Sequence, residues 1–138
     1  MRILGLDYGE KTLGVAVSDE LEVTARELET IERERPTHLR RTFARLEALI
    51  EEYGIQKAVL GLPLNMDGSE GDRAEKTRAF AEALERRTGL EIIFQDERLT
   101  TVEADEILEE RGVPRQQRKK TIDALAAALI LQDYLNHI

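Results

Sequence analysis

Residues 2–20, RILGLDYGEKTLGVAVSDE, decide the fold of this chain. Small apolar residues run as far as Asp7, a short turn follows at residues 8–11, and TLGVAVSD returns as a second apolar run. This pattern predicts two antiparallel strands joined by a tight turn. A charged side chain at the end of a buried strand is unusual, because an unpaired carboxylate is costly to bury. The position of Asp7 therefore raises the question of which group compensates its charge.

The remaining sequence alternates strands with helices. EVTARELETI predicts a third antiparallel strand, and KAVLGLP and LEIIFQ predict two buried strands further on. Stripes of apolar residues predict four helices. The first has Pro36 near its first turn and ends at Gly54, and the others span residues 72–88, 100–111 and 119–135. Thr100 and Glu103 fit a capping box in which Thr100 is the N-cap residue.

The order of these elements predicts the fold class. Strand–helix alternation after the first helix requires parallel pairing in that half of the sheet. We therefore expect an α/β fold with a mixed five-stranded sheet, in which three antiparallel strands are followed by parallel strands and helices flank the sheet. With short loops and no internal repeat, residues 1–138 are expected to form a single domain.

Composition excludes several classes of protein. The absence of cysteine and the presence of only two histidines exclude thiolate and histidine-built metal centres. Neither a signal peptide nor an apolar run of about 20 residues is present, which predicts a cytoplasmic protein without a membrane partner. The net charge of −8 argues against non-specific coating of nucleic acid, although it does not exclude a nucleic-acid enzyme.

Three acidic positions stand where charge is unexpected. Asp7 and either Asp96 or Glu97 follow predicted strands, and Asp123 leads an apolar stripe of the last helix. Singly, each has an ordinary explanation: a turn aspartate, a solvated strand end, or a first-turn acid favoured by the helix dipole. Together they are expected to meet at one edge of the sheet, where open α/β sheets bind ligands.

Such a cluster of carboxylates requires a cation. Oxygen ligands without histidine or cysteine suit Mg²⁺ or Mn²⁺. Two ions roughly 3.5–4 Å apart would attract a phosphodiester, activate water and stabilise the leaving oxygen. The acids therefore predict a metal-dependent nuclease, and the metal answers the question that Asp7 raises.

Four segments of the sequence resemble the YqgF/RuvX family. They are LGLDYGEKTLGVAVSD, VLGLPLNMDGSEG, DERLTTVEAD and KKTIDALAAALILQDYL, in the order of the family and over nearly the whole chain. The resemblance implies a ribonuclease H-like fold, akin to the Holliday-junction resolvase RuvC. It also implies a proposed role in trimming the 5′ end of precursor 16S ribosomal RNA, and hence a place in ribosome biogenesis.

By the same resemblance, Asp7, Glu97 and Asp123 are implied as catalytic and metal-binding residues. The chain departs from the fold's usual pattern at one point. The usual second acid lies on the strand after the first helix, where this sequence has GLPLN. Glu97, on the neighbouring strand, would have to take its place.

Further residues are candidates for contact with the substrate. Lys11 and Thr12 in the turn after Asp7 could reach a phosphate, and the basic segment PRQQRKK at 114–120 could guide the nucleic-acid backbone to the site. The polar loop from Asn65 to Gly71 is either a lid over the substrate or a plain surface loop, and Arg98 either contacts a phosphate or forms a structural salt bridge with Glu97. The predicted substrate-binding residues are Gly9, Lys11, Thr12, Asn65, Arg98, Arg118, Lys119 and Lys120. Five other arginines, at 33, 35, 40, 41 and 45, are interspersed with acids and are expected to form a solvated helix face.

Other functions remain open from the sequence. The alternatives to this nuclease are a resolvase of branched DNA and a non-catalytic assembly factor that binds ribosomal RNA, precursor particles or a protein partner. An ATPase related to actin and sugar kinases shares the Asp-x-Gly turn, but such proteins clasp nucleotide between two domains, and 138 residues supply one. A monomer and a homodimer are both allowed, and symmetric cutting of a four-way junction would need the dimer.

Overall fold

The computed structural model of the chain describes residues 1–97 and 100–138, without the side chains of residues 101, 119 and 120. Its strands are β1 (Arg2–Tyr8), β2 (Thr12–Ser18), β3 (Ala25–Glu32), β4 (Ile55–Leu62) and β5 (Glu91–Asp96). Its helices are α1 (Arg40–Tyr53), α2 (Asp72–Thr88), α3 (Thr100–Glu110) and α4 (Arg115–Leu135). In the described part of the chain, no helix is long and apolar enough to cross a membrane.

The strands form one mixed sheet in the order β3-β2-β1-β4-β5. β1 pairs antiparallel with β2, and β2 with β3, whereas β4 pairs parallel with both β1 and β5. The predicted sheet is thereby confirmed. Because β1, β4 and β5 run in the same direction, their carboxyl ends lie at one edge of the sheet. Asp7, near the end of β1, and Glu97, directly after β5, therefore lie at this edge.

Alternation along the strands separates the two faces of the sheet. Leu4 and Leu6 of β1 pack into a core with α1 and α2, which contribute residues such as Phe43 and Phe80. Ile3, from the same strand, belongs to a second core with α4. α3 packs outside α4, and Ala104 lies in the cluster between these helices. Odd-numbered residues of β1, Asp7 among them, therefore face α4.

Glycines in three neighbouring strands allow α4 to lie directly on the sheet. A Cβ atom at Gly14 would overlap the carbonyl oxygen of Asp123. A Cβ at Gly5 would lie 2.7 Å from the Cβ of Leu131, and one at Gly61 would lie 2.6 Å from Cδ1 of Ile130. At Gly14 and Gly5 a larger residue would meet main-chain atoms of α4 and would displace the helix, whereas at Gly61 the Ile130 side chain would have to shift. This close approach fixes the position of Asp123 relative to β2.

The last helix begins earlier than the sequence indicates. It starts at Arg115 rather than Lys119, because Pro114, with φ of −61° and ψ of 147°, is the N-cap residue. Residues 115–120 are polar and therefore show no apolar stripe. Asp123 lies more than two turns inside the helix, so the prediction that the helix dipole stabilises it is wrong, since that effect is confined to the first turn.

Other element boundaries also differ from the sequence prediction. α1 begins at Arg40, and Pro36 precedes it in a turn in which the His38 N–H donates to the Arg35 carbonyl at 3.0 Å. Thr100 is the first residue of α3 rather than its cap. β3 begins at Ala25 because the Asp19 carboxylate accepts hydrogen bonds from the N–H groups of residues 23 and 24 and holds that segment as a turn.

Candidate active site

Asp7 and Glu97 form the centre of the candidate site. Asp7 lies near the carboxyl end of β1, where it pairs with Gly14 of β2. Glu97 follows β5 directly, and its N–H donates to the Leu62 carbonyl at 3.2 Å, which continues the pairing of β5 with β4. The two carboxyl groups are hydrogen-bonded to each other. The predicted convergence of these two acids is therefore present, and Glu97 rather than Asp96 makes the contact.

Gly61 explains why an acid can come from β5 instead of β4. A Cβ atom at Gly61 would lie 2.9 Å from Cδ of Glu97 and 3.1 Å from its Oε2. The Glu97 carboxyl group therefore occupies the space above β4 that a side chain at residue 61 would fill. The absence of an acid in the GLPLN segment is compensated by the neighbouring strand in this way.

Asp123 approaches the pair from the opposite side. Its main chain lies against Gly14, which is the register partner of Asp7, and its negative charge acts on Asp7. As the side chains are placed, no group of three His, Cys, Asp or Glu residues in the described part of the chain forms a ready metal site. The structure thus contains two acids in contact and a third within electrostatic range.

The raised pKa values of Asp7 and Glu97 indicate that the pair shares one proton at neutral pH. Burial, followed by the charge of Asp7, raises the pKa of Glu97 to about 9. Burial also raises the pKa of Asp7 to about 6, although its hydrogen bond with Glu97 works in the other direction. At neutral pH Glu97 therefore retains its proton and donates it to ionised Asp7. The donor set, which contains only carboxylate oxygens, suits a hard divalent cation that would replace this proton.

Arg73 is a neighbour of the acids that the sequence analysis missed. It lies in the first turn of α2, and its positive charge lowers the pKa of both Asp7 and Glu97. Its side chain is exposed. No pattern in the sequence indicates its location, because one arginine at the start of an amphipathic helix resembles any solvated residue. Its location makes it available to a phosphate held at the acids.

A buried arginine stabilises the turn between β1 and β2. Arg33 is 8% exposed, and its guanidinium group donates to the carbonyl oxygens of Gly9, Glu10 and Thr12. Within the turn, the Gly9 N–H donates to the Thr12 carbonyl at 2.8 Å. The prediction that Arg33 belongs to a solvated helix face is therefore wrong, since its guanidinium group is buried and makes three hydrogen bonds to carbonyl groups of the turn and a fourth to the Pro36 carbonyl.

Two of the predicted substrate-binding residues in this turn differ in exposure. Lys11 is exposed and Thr12 is half-buried. A Cβ atom at Gly9 would lie 2.9 Å from Oγ1 of Thr12, so a larger residue at position 9 would require the Thr12 side chain to shift. The turn follows Asp7 directly, so its residues border the acid pair.

The loop after β4 is a compact turn with its own hydrogen bonds. The Asn65 amide nitrogen donates to the Ser69 hydroxyl at 3.0 Å, and that hydroxyl donates to the Asp67 carboxylate at 2.6 Å. Leu64 and Glu70 form a bridge across its base. The predicted substrate-binding residue Asn65 is therefore also a residue that shapes this loop.

The basic segment before Asp123 is divided between helix and connection. Arg118 is tied to the protein: it donates to the Val113 carbonyl at 3.0 Å and to the Asp105 carboxylate at 3.1 Å, and its side chain is 13% exposed. These contacts join α4 to α3. The side chains of Lys119 and Lys120 and the whole of Arg98 lie outside the described residues.

Comparison with known proteins gives close relatives in sequence. A family model described as RuvX, Holliday junction resolvase, matches residues 1–137. A protein of Agathobacter rectalis, provisionally named a pre-16S rRNA nuclease, is 54% identical over all of this chain and 96% of its own length. A relative from Lachnospira eligens with the same name is 56% identical over 98% of this chain and 96% of its own length.

Solved structures agree on the fold. RuvC of T. thermophilus, in complex with a Holliday junction substrate, superposes with a TM-score of 0.61 at 19% identity, covering 99% of this chain and 94% of its own. A second structure of the same RuvC gives 0.58 at 18% identity, with coverage of 99% and 95%. The predicted ribonuclease H-like fold is thereby confirmed. By its sequence over residues 1–137, this chain is a member of the RuvX family.

Proposed function

We propose that this protein is a divalent-metal-dependent nuclease that hydrolyses phosphodiester bonds at the Asp7–Glu97 pair. The observation that carries the proposal is the hydrogen-bonded pair of half-buried carboxyl groups at the carboxyl ends of β1 and β5, with the charge of Asp123 acting on Asp7. Buried acids with raised pKa values are typical of functional sites. The names of the relatives support the same activity.

Asp7, Glu97 and Asp123 would supply the carboxylate oxygens that hold Mg²⁺ or Mn²⁺. When bound, such ions supply an activated water and stabilise charge on the leaving oxygen. Asp7, which is ionised at neutral pH, would be the first available ligand, and Glu97 would join it by giving up its proton. Arg73 stands where its guanidinium group would orient the phosphate, and Gly9, Lys11 and Thr12 line the approach on the other side.

The substrate we propose is the 5′ extension of precursor 16S ribosomal RNA, in the cytoplasm and in precursor ribosomal particles. Two relatives above 50% identity carry that name. Cutting of branched DNA is the second candidate, and it is favoured by the family description and by the fold of RuvC. Contacts from Asn65, Arg98, Arg118, Lys119 and Lys120 to the nucleic-acid backbone are part of the proposal, whether the protein acts as a monomer or a homodimer.

The test is an assay of the purified protein with Mg²⁺ or Mn²⁺ on two substrates, a 5′-extended 16S precursor and a four-way DNA junction. We expect cleavage of the RNA, and a loss of at least about 100-fold in Glu97→Gln, because several kcal/mol of metal-supplied stabilisation would be lost. Glu91→Gln, at the exposed amino end of the same strand, is the matched control and should cleave normally.

Three results would count against this proposal. Metal-dependent cleavage of the junction alone would favour the DNA substrate. Equal activity in Glu97→Gln and Glu91→Gln would place the chemistry elsewhere. Binding of the precursor without any cleavage under either metal would favour a non-catalytic assembly factor.

A further inference from the structure

A cavity opens beside the acid pair, on the other face of the sheet. It has a volume of about 440 Å³ and lies between the β1–β2 turn, the segment before α1 and the first turns of α2. Tyr8, the residue after Asp7, is on its wall. Because consecutive strand residues point to opposite faces, Asp7 faces α4 while Tyr8 faces this cavity. The cavity and the acid pair therefore share one edge of β1.

The inner wall of the cavity is aromatic and held in place. The rings of Tyr8 and Phe80 are stacked, with centroids 4.3 Å apart and an angle of 17° between their planes. The Arg33 guanidinium carbon lies 4.7 Å from the centroid of the Tyr8 ring. Phe80 is 2% exposed and Tyr8 is half-buried, so the aromatic surface open to the cavity is the part of the Tyr8 ring that Phe80 and Arg33 leave uncovered. Pro36 and Leu39 add apolar surface opposite.

The rim of the cavity is mainly positive. Arg73 and Lys76, three residues apart on α2, both line it, and both side chains are exposed. Glu10 is the acidic residue of this lining. Arg73 also acts electrostatically on Asp7 and Glu97. The rim of the cavity therefore includes a cation, Arg73, that lies within electrostatic range of the acid pair.

We propose that this cavity receives one unpaired nucleotide of the substrate next to the bond that is cut, with its base against Tyr8 and its phosphate between Arg73 and Lys76. An aromatic wall with a cationic rim is complementary to a nucleotide, whose base is planar and whose phosphate is anionic. The volume lies within the range of pockets that bind small molecules. The inference rests on the proposed nuclease function and adds a preference for single-stranded substrate.

The preference follows from base pairing. A base can enter such a cavity only when it is outside a duplex, because paired bases are stacked on their neighbours. The nucleotides of the substrate next to the bond that is cut should therefore be single-stranded. A fully paired duplex of the same sequence would reach the acid pair without filling the cavity.

The chain offers a direct probe of this cavity. It has no tryptophan and three tyrosines, so replacing Tyr53 and Tyr134 by phenylalanine leaves Tyr8 as the one intrinsic fluorophore at long wavelength. Titration with a five-nucleotide RNA, without divalent metal so that nothing is cut, should quench Tyr8 fluorescence in a saturable way. The same RNA in a duplex should give no such quenching.

Matched variants on α2 test the contacts. Lys76→Gln should weaken binding of the five-nucleotide RNA at least about fivefold, whereas Arg86→Gln, which removes the same charge from the distant end of α2, should leave it unchanged. Tyr8→Leu, followed with an end-labelled RNA, should also weaken binding at least about fivefold, which is the scale of one lost stacking contact. Melting temperatures near that of the wild type would show that each variant is folded.

The outcomes separate this inference from the proposed function. RNA binding with unchanged Tyr8 fluorescence, equal quenching by the duplex, or equal affinities of Lys76→Gln and Arg86→Gln would overturn the nucleotide site, even if the protein cuts RNA with metal. Saturable quenching with the expected losses, in a protein that cuts nothing, would support the nucleotide site and reject the nuclease.

Discussion

At the scale of single residues, the chemistry that we propose depends on how Asp7 and Glu97 divide one proton. Burial raises the pKa of both carboxyl groups, and their hydrogen bond favours the state in which Glu97 keeps the proton and Asp7 is charged. Asp123 disfavours that charge and Arg73 favours it. A cation that bound here would take the place of the shared proton, and both Asp7 and Glu97 would then be ionised.

This balance predicts how stability changes with pH in the absence of metal. The pKa values of about 6 and about 9 in the folded protein exceed the ordinary 3.8 and 4.5 of Asp7 and Glu97, so between about pH 4 and pH 9 the folded state binds more protons than the unfolded state. The free energy of unfolding should therefore fall as pH rises through this range. Melting temperatures in chelator from pH 5 to pH 9 will show it.

Glu97→Gln should remove most of the decline above pH 6, because the amide cannot ionise. Glu91→Gln should keep the slope of the wild type. Should Glu97→Gln and the wild type give parallel curves, the shared proton would not reside on this pair.

The sequence placed two of these acids correctly at strand ends, but it did not distinguish Asp96 from Glu97. That choice depends on Gly61, whose missing side chain leaves space for the Glu97 carboxyl group. Arg73 was not identified because it resembles an ordinary solvated residue of a helix. Arg33 was assigned to a solvated helix face, although its side chain is buried. The roles of these residues depend on contacts between segments that are distant in the sequence, and a local sequence pattern does not predict such contacts.

At the scale of elements, α4 brings Asp123 to the sheet because glycines in β1, β2 and β4 lie beneath it. The strands themselves were predictable from apolar runs and tight turns. The start of α4 was not, since residues 115–120 carry no apolar stripe and are fixed by contacts of Arg118 with Val113 and Asp105. Alternation and periodicity reveal only those helix residues that touch the core.

Gly14→Ala is expected to displace α4. The added Cβ would overlap the main-chain carbonyl of Asp123, so relief requires movement of the helix rather than of a side chain. We expect a loss of about 3 kcal/mol in the free energy of unfolding, at the upper end of what overpacking costs, together with weaker metal-dependent cleavage because Asp123 moves away from Asp7. Denaturant unfolding and the cleavage assay measure the two effects.

Gly71→Ala is the matched control, because a Cβ there meets only ordinary contacts at 3.4 Å, and it should cost less than about 1 kcal/mol. A Gly14→Ala protein that is as stable and active as Gly71→Ala would show that α4 does not need its close approach to β2.

At the scale of the whole molecule, a net charge of −8 is at odds with a nucleic-acid substrate unless cations are part of the site. The average charge therefore says little about the partner, whereas the local arrangement of three acids, Arg73 and Lys76 is informative. The fold was predictable from the order of strands and helices and is shared with RuvC at 19% identity, since many apolar sequences satisfy the same alternation. The identity of the substrate is a property of the site and not of that fold.

Metal binding should consequently stabilise the whole protein, and more so as pH rises. Mn²⁺ at about 100 times its dissociation constant adds roughly 2.7 kcal/mol to the free energy of unfolding, or roughly 10 °C in melting temperature for a domain of this size. At one fixed Mn²⁺ concentration the increase should be larger at pH 8 than at pH 6, because the cation would replace the proton of Glu97 and would compete with it less well at lower pH. This trend is opposite to the one without metal. Asp7→Asn should abolish the increase, and NaCl of equal ionic strength should not reproduce it in the wild type. An equal rise in Asp7→Asn would mean that Mn²⁺ acts by screening the net negative charge, and the acids at the edge of the sheet would then hold no metal.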